Sequence, residues 1–86
     1  MTLYDGKIGE EYRILGIYLQ EGILRRLEAL GMNEGTLIRA LNRKRRGAMI
    51  IKVRGTRLAL GSDITREMEV RSTDKINQET RNGENA

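Results

Sequence analysis

Cysteine and histidine are both absent from this chain, and with them go most of the side chains that do chemistry near neutral pH. No disulfide, thiolate metal site, redox switch or cysteine nucleophile is available. Without histidine, the commonest metal ligand and the usual near-neutral general base are missing as well. Phenylalanine and tryptophan are lacking too, and the tyrosines stand early, at Tyr4, Tyr12 and Tyr18, so platforms for stacking nucleobases are scarce. Apolar runs are only a few residues long, far short of the ~20 needed to cross a bilayer. Acidic Asp5 falls where a signal peptide would continue apolar. These absences point to a soluble, unexported chain that is not an enzyme and holds no cofactor or metal.

What is present is small and basic. At 86 residues the chain makes one domain at most. A domain of this size buries only about 60% of the surface its unfolded chain exposes, which leaves little room for an enclosed active site. The formal charge of +4 is modest but unevenly spread. No acid occurs from Gly35 to Ser62, whereas Arg39, Arg43, Lys44, Arg45, Arg46, Lys52, Arg54 and Arg57 do. One side of the fold is therefore expected to be strongly positive.

Residues from Ser72 onward contain one large aliphatic, Ile76, and are otherwise polar. Such a segment buries too little to offset its ordering entropy, so 72–86 reads as a disordered tail and 1–71 as the folded unit. Glu11 to Ile17, with β-branched and aromatic residues, reads as a strand after a turn at Gly9. From Glu21 the period changes: Ile23, Leu24, Leu27 and Leu30 recur at helical spacing until Gly31 supplies a left-handed stop. That predicts a helix over 21–31. Asn33 to Thr36 is a turn, and Leu37 to Arg43 a second strand. After the basic corner Arg43 to Gly47, the strand Ala48 to Arg54 carries Met49, Ile51 and Val53 on one face. A hairpin at Arg54-Gly55-Thr56 returns it as Arg57 to Leu60. Ser62 or Asp63 offers a cap for a short helical turn near 62–66, and Met68 to Arg71 is the last strand. About five short strands with one inserted helix suggest a mainly β fold, a small bent antiparallel barrel whose closure would protect its edges.

These residues carry a family resemblance. Asp5-x-Lys7-x-Gly9, Tyr12-Arg13-Ile14-x-Gly16-Ile17, Arg25-Arg26-Leu27-x-x-Leu30-Gly31-Met32-x-x-Gly35, Gly47 and Val53-Arg54-Gly55-x-Arg57-Leu58-Ala59-Leu60 resemble the FeoA family of ferrous iron transport proteins, in order and spacing, over residues 3–70. The resemblance implies an SH3-like barrel in the cytoplasm, without enzymatic activity. It implies action by protein contact with the cytosolic GTP-binding region of a FeoB-type membrane permease. The same barrel resembles the carboxy-terminal domain of iron-dependent repressors. No helix-turn-helix segment precedes it here, so a complete repressor is not expected.

Individual residues have plainer readings alongside functional ones. Leu27 and Leu30 are expected to pack the helix onto the barrel, while Met32, beyond the stop, is expected to be exposed. Arg25 and Arg26 face solvent, where they are suited to steering toward an acidic partner. With Met32, Arg45 and Arg46 they are the expected partner-binding residues. The corner 43–46 also suits anionic lipid headgroups of a membrane surface or, as an alternative function, phosphates of a nucleic acid. Gly47, Gly55 and Gly61 turn strands, since no phosphate-loop Gly-Lys-Ser/Thr follows them. Met49 and Met68 fill the core. The carboxylates Asp5, Glu10, Glu11, Glu21, Glu28 and Glu34 lack compact ligand spacing for Fe²⁺.

Overall fold

A computed structural model describes residues 1–73 of the chain. Five antiparallel strands form one sheet: β1 (Glu11–Ile17), β2 (Leu37–Arg43), β3 (Met49–Val53), β4 (Thr56–Leu60) and β5 (Met68–Ser72), in the order β4-β3-β2-β1-β5. Helix α1 (Glu21–Ala29) is inserted between β1 and β2, and a single turn, α2 (Ser62–Thr65), between β4 and β5. A 3-10 turn at Leu3–Asp5 precedes the sheet, and another at Arg45–Gly47 joins β2 to β3.

Each strand alternates, and one set of faces makes the core. Tyr12 and Ile14 of β1, Ile38 and Ala40 of β2, Met49, Ile51 and Val53 of β3, Leu60 of β4, and Met68 and Val70 of β5 are all buried together with Leu3, Leu27 and Met32. That one cluster draws on every strand requires the sheet to curl around it. Register shifts between Ile14 and Gly16, and between Ala40 and Asn42, supply local bends. The result is the expected SH3-like barrel, with Met49 and Met68 in its interior.

Edge protection differs from the expectation of closure. Among the described residues β4 pairs only with β3, and β5 only with β1, so the ladder stays open between them. At β5 the amino-terminal residues cover the edge instead. The Val70 N–H donates to the Met1 carbonyl at 2.8 Å, Thr2 bridges Glu69, and the Met1 ammonium meets the Glu69 carboxylate at 2.7 Å. Among the described residues no comparable segment lies along β4.

Helix α1 ends at Ala29, two residues before its periodicity predicts, and the reason corrects two residues. The Met32 N–H donates to the Leu27 carbonyl and the Gly31 N–H to the Glu28 carbonyl, both at 2.9 Å, with Gly31 at φ +95°. This is a Schellman stop, in which the residue after the left-handed glycine folds back against the last turn. Met32 is thereby driven into the core beside Leu27, at 0% exposure, contrary to the expectation that it faces solvent. Leu30, at the cap itself, is turned out and 50% exposed rather than packed. The turn α2 starts after Gly61 with no side-chain cap from Ser62 or Asp63. Strand β5 reaches Ser72, and the Thr73 hydroxyl donates to the Glu11 carboxylate at 3.0 Å. The remainder of the expected tail, 74–86, lies outside the described residues.

Candidate functional site

The expected contact residues fall into two groups rather than one. Arg25 and Arg26 lie on the exposed side of α1, opposite buried Leu27. Arg25 forms an i,i+4 ion pair with Glu21, and both side chains are largely exposed, so the pair contributes only about 0.3–0.5 kcal/mol. Arg26 sits in the last helical turn, where its charge complements the negative end of the helix. Arg45 and Arg46 stand at the other end of β2, on the exposed turn that follows it. Since α1 leads into the start of β2 and the turn follows its end, the strand, about 20 Å long, lies between the groups along the chain. Met32 belongs to neither surface.

The basic corner is built from parts distant in sequence. Arg43 donates to the carbonyls of Tyr4 at 2.9 Å and Gly6 at 3.1 Å, tying the end of β2 to the amino-terminal turn. Its guanidinium carbon is 5.5 Å from the centroid of the Tyr4 ring, while that of Arg66 is 4.4 Å from the same centroid. Hydrogen bonding to the Tyr4 hydroxyl, with electrostatic attraction to the same group, raises the pKa of Arg66 above its ordinary value. Tyr4 thus holds two cations by cation–π attraction. Arg43 is therefore a clamp whose donors are partly engaged. Lys44, Arg45 and Arg46 remain exposed, with no ion pair or hydrogen bond from their side chains among the described residues. Tyr4 and Arg66 were not singled out from the sequence. No local motif marks them, because the cluster is assembled by tertiary contacts of the first 3-10 turn with the end of β2 and with α2.

A second feature lies where α1 meets the β3–β4 hairpin. Val53 pairs with Thr56, leaving Arg54 and Gly55 as a connection in which both residues are left-handed, at φ +50° and +81°. That turn lays the Arg54 side chain across Gly31, whose missing Cβ would stand 2.8 Å from the Arg54 Cδ. Beside it, Asn33 to Leu37 and Arg54 line a shallow open depression. It contains no titratable group besides Glu34 and Arg54. Among the described residues no three carboxylates stand close enough to share a metal ion. No helix among them is long and apolar enough to cross a membrane. What the surface offers is charge and shape for contact, with a basic corner after β2 and a depression lined mostly by polar residues beside the β3–β4 hairpin.

Solved structures share this architecture. Iron(II) transport protein A from Clostridium thermocellum superposes with a TM-score of 0.80 at 19% identity, over 86% of this chain and 46% of that one. The chain thus spans less than half of that protein's length. An iron uptake regulatory protein, FeoA, superposes at 0.74 with 25% identity, over 84% of this chain and 94% of that one. A manganese-dependent transcriptional repressor superposes at 0.76 with 20% identity, over 84% of this chain and 41% of that one, a likeness of fold alone. No curated protein matches the chain. The model of the FeoA domain matches residues 1–72, which take in every strand of the barrel, and the chain belongs to the FeoA family.

Proposed function

We propose that this protein is a cytoplasmic, non-enzymatic accessory of ferrous iron uptake that acts by contact with the cytosolic GTP-binding region of a FeoB-type permease. The observation that carries this reading is the family match over the whole barrel, in a family associated with ferrous iron transport. The surface supports it in kind: exposed cations without partners among the described residues, around a filled core. Arg25 and Arg26 form one contact group and Arg45 and Arg46 the other, with Met32 acting only from inside. Beside a membrane-embedded partner, the corner also meets anionic headgroups, each Lys or Arg contributing about 1 kcal/mol near a charged surface.

The test is a pull-down of the permease's GTP-binding region by the purified chain, with no nucleotide, GDP and a non-hydrolysable GTP analogue. Binding is expected, and it weakens when Arg25 and Arg26, or Arg45 and Arg46, are changed to Glu. Absence of binding in all three nucleotide conditions rejects the reading. The exposed corner beside Tyr4 favours nucleic acid as the second reading. Phosphate binding must fall steeply with salt, so a titration against single- and double-stranded probes decides it.

A further inference from the structure

The sheet register creates a row of like charges that the linear sequence hides. On the outer face Glu11 of β1 stands opposite Arg39 of β2, Arg39 opposite Lys52 of β3, and Lys52 opposite Arg57 of β4. Arg39 has partners: it lies 3.9 Å from the Glu11 carboxylate and donates to the Gly9 carbonyl at 2.6 Å. Lys52 and Arg57 are exposed, and neither has an ion pair or side-chain hydrogen bond among the described residues. Like charges directly opposite one another across a ladder are destabilising. An acid ends the row at β1, and the row runs out at the open edge at β4.

That edge is competent to pair. In a hairpin with a two-residue connection, Val53 and Thr56 form a hydrogen-bonded pair, and the alternation along the ladder turns the backbone N–H and C=O of Arg57 and Ala59 to the open side. No backbone bond to Arg57 or Ala59 from outside β3 occurs among the described residues. Their side chains belong to the outer face, whereas half-buried Leu58 and buried Leu60 belong to the inner one. A strand added here sets every second side chain beside Arg57 and Ala59, and the intervening ones beside Leu58 and Leu60. Next to Ala59, Leu41, Asn42, Lys44, Ile50 and Arg57 line a shallow depression with a basic rim.

We propose that the β4 edge binds an extended acidic segment of a partner protein by strand addition, with a carboxylate opposite Arg57 completing the charge row. The segment alternates acidic and aliphatic residues, acids toward Arg57 and Lys44, aliphatics toward Leu58. A single edge cation would suffice to deter aggregation. Two more in register behind it serve charge complementarity instead. A second copy of this chain is disfavoured as occupant, because pairing β4 with β4 adds its Arg57 to the same row. The proposal is independent of the permease reading.

The experiment uses the full chain and a short synthetic peptide alternating glutamate with valine, followed by amide exchange and chemical-shift titration. Exchange at the amides of Arg57 and Ala59 is expected to slow on binding. The amides of Leu58 and Leu60, already paired with β3, should change little. R57E is expected to weaken binding about tenfold, from loss of one pair and gain of one repulsion, and K52E to weaken it less. A peptide of the same charge N-methylated at alternate residues must fail to bind, since it keeps the carboxylates but lacks the donors. Equal slowing of exchange at the Arg57 and Ala59 amides by the methylated peptide, an oligonucleotide or anionic vesicles overturns strand addition. So do Arg57 and Ala59 amides that are already protected in the free chain.

Discussion

The dipeptide Arg-Gly occurs twice with the same backbone, and the two copies do different work. Arg46-Gly47 ends the basic corner at φ +69° and +83°, and Arg54-Gly55 makes the hairpin at φ +50° and +81°. In both, an arginine takes the left-handed conformation that L side chains ordinarily avoid. At the hairpin the side chain is put to structural use: Arg54 lies on Gly31 at the end of α1 and couples the helix to the sheet. At the corner Arg46 reaches into solvent, and the neighbouring Arg43 makes the structural bonds. The same local geometry therefore yields a pin in one place and an exposed cation in the other, depending on what the fold brings opposite.

The largest effect is expected beneath the pin. Met32→Asp places a carboxylate at a fully buried site next to Leu27, with a cost on the order of 4 kcal/mol. Against a total stability of about 4–10 kcal/mol for a domain of this length, that removes between two fifths and all of the stability. Circular dichroism and urea melting read this directly. Arg46→Asp, at the exposed corner, should shift stability by no more than about 0.5 kcal/mol. A folded, unaltered Met32→Asp variant would contradict the burial and return Met32 to the contact surface.

Gly31→Ala comes next, because the added Cβ meets both a left-handed backbone and the Arg54 side chain at 2.8 Å. The expected loss is about 1–2 kcal/mol, measured as a lower urea midpoint at constant slope. Removing the obstacle with Arg54→Ala in the same chain should recover about 0.5 kcal/mol of that loss, leaving the backbone strain. Strict additivity in this double-mutant cycle would show that Arg54 and Gly31 are not coupled.

The sequence made the strands legible because alternation and turn glycines are local signals, and the β2 span stands where they predict, while the hairpin connection is Arg54-Gly55 alone rather than the expected Arg54-Gly55-Thr56, because Thr56 already pairs with Val53. Met32 was misplaced for a physical reason. Helical periodicity ends at the stop, but the Schellman bonds carry the chain back for one more buried residue. The Tyr4–Arg43–Arg66 cluster was illegible because its members meet only through tertiary contacts. In the charge row, the Lys52–Arg57 pair could not be counted back from the expected three-residue connection, which would set Lys52 opposite Leu58. Nor could Arg39 opposite Lys52, since a register shift between Ala40 and Asn42 interrupts the count along β2.

The smallest effect tests the comparison most closely. Asparagine tolerates the left-handed region better than arginine, so Arg46→Asn and Arg54→Asn should each relieve backbone strain by about 0.5 kcal/mol. At the corner that relief is the net result, and the midpoint of urea unfolding rises, because the Arg46 side chain makes no hydrogen bond or ion pair among the described residues. At the hairpin the same substitution strips the aliphatic stem from Gly31, so the gain is offset and the midpoint stays near its starting value. The difference between the two variants isolates what the Arg54 side chain contributes beyond its backbone. Equal stabilisation at both sites would mean that Arg54 rests on Gly31 without holding it, and the two turns would then be equivalent in side chain as well as in backbone.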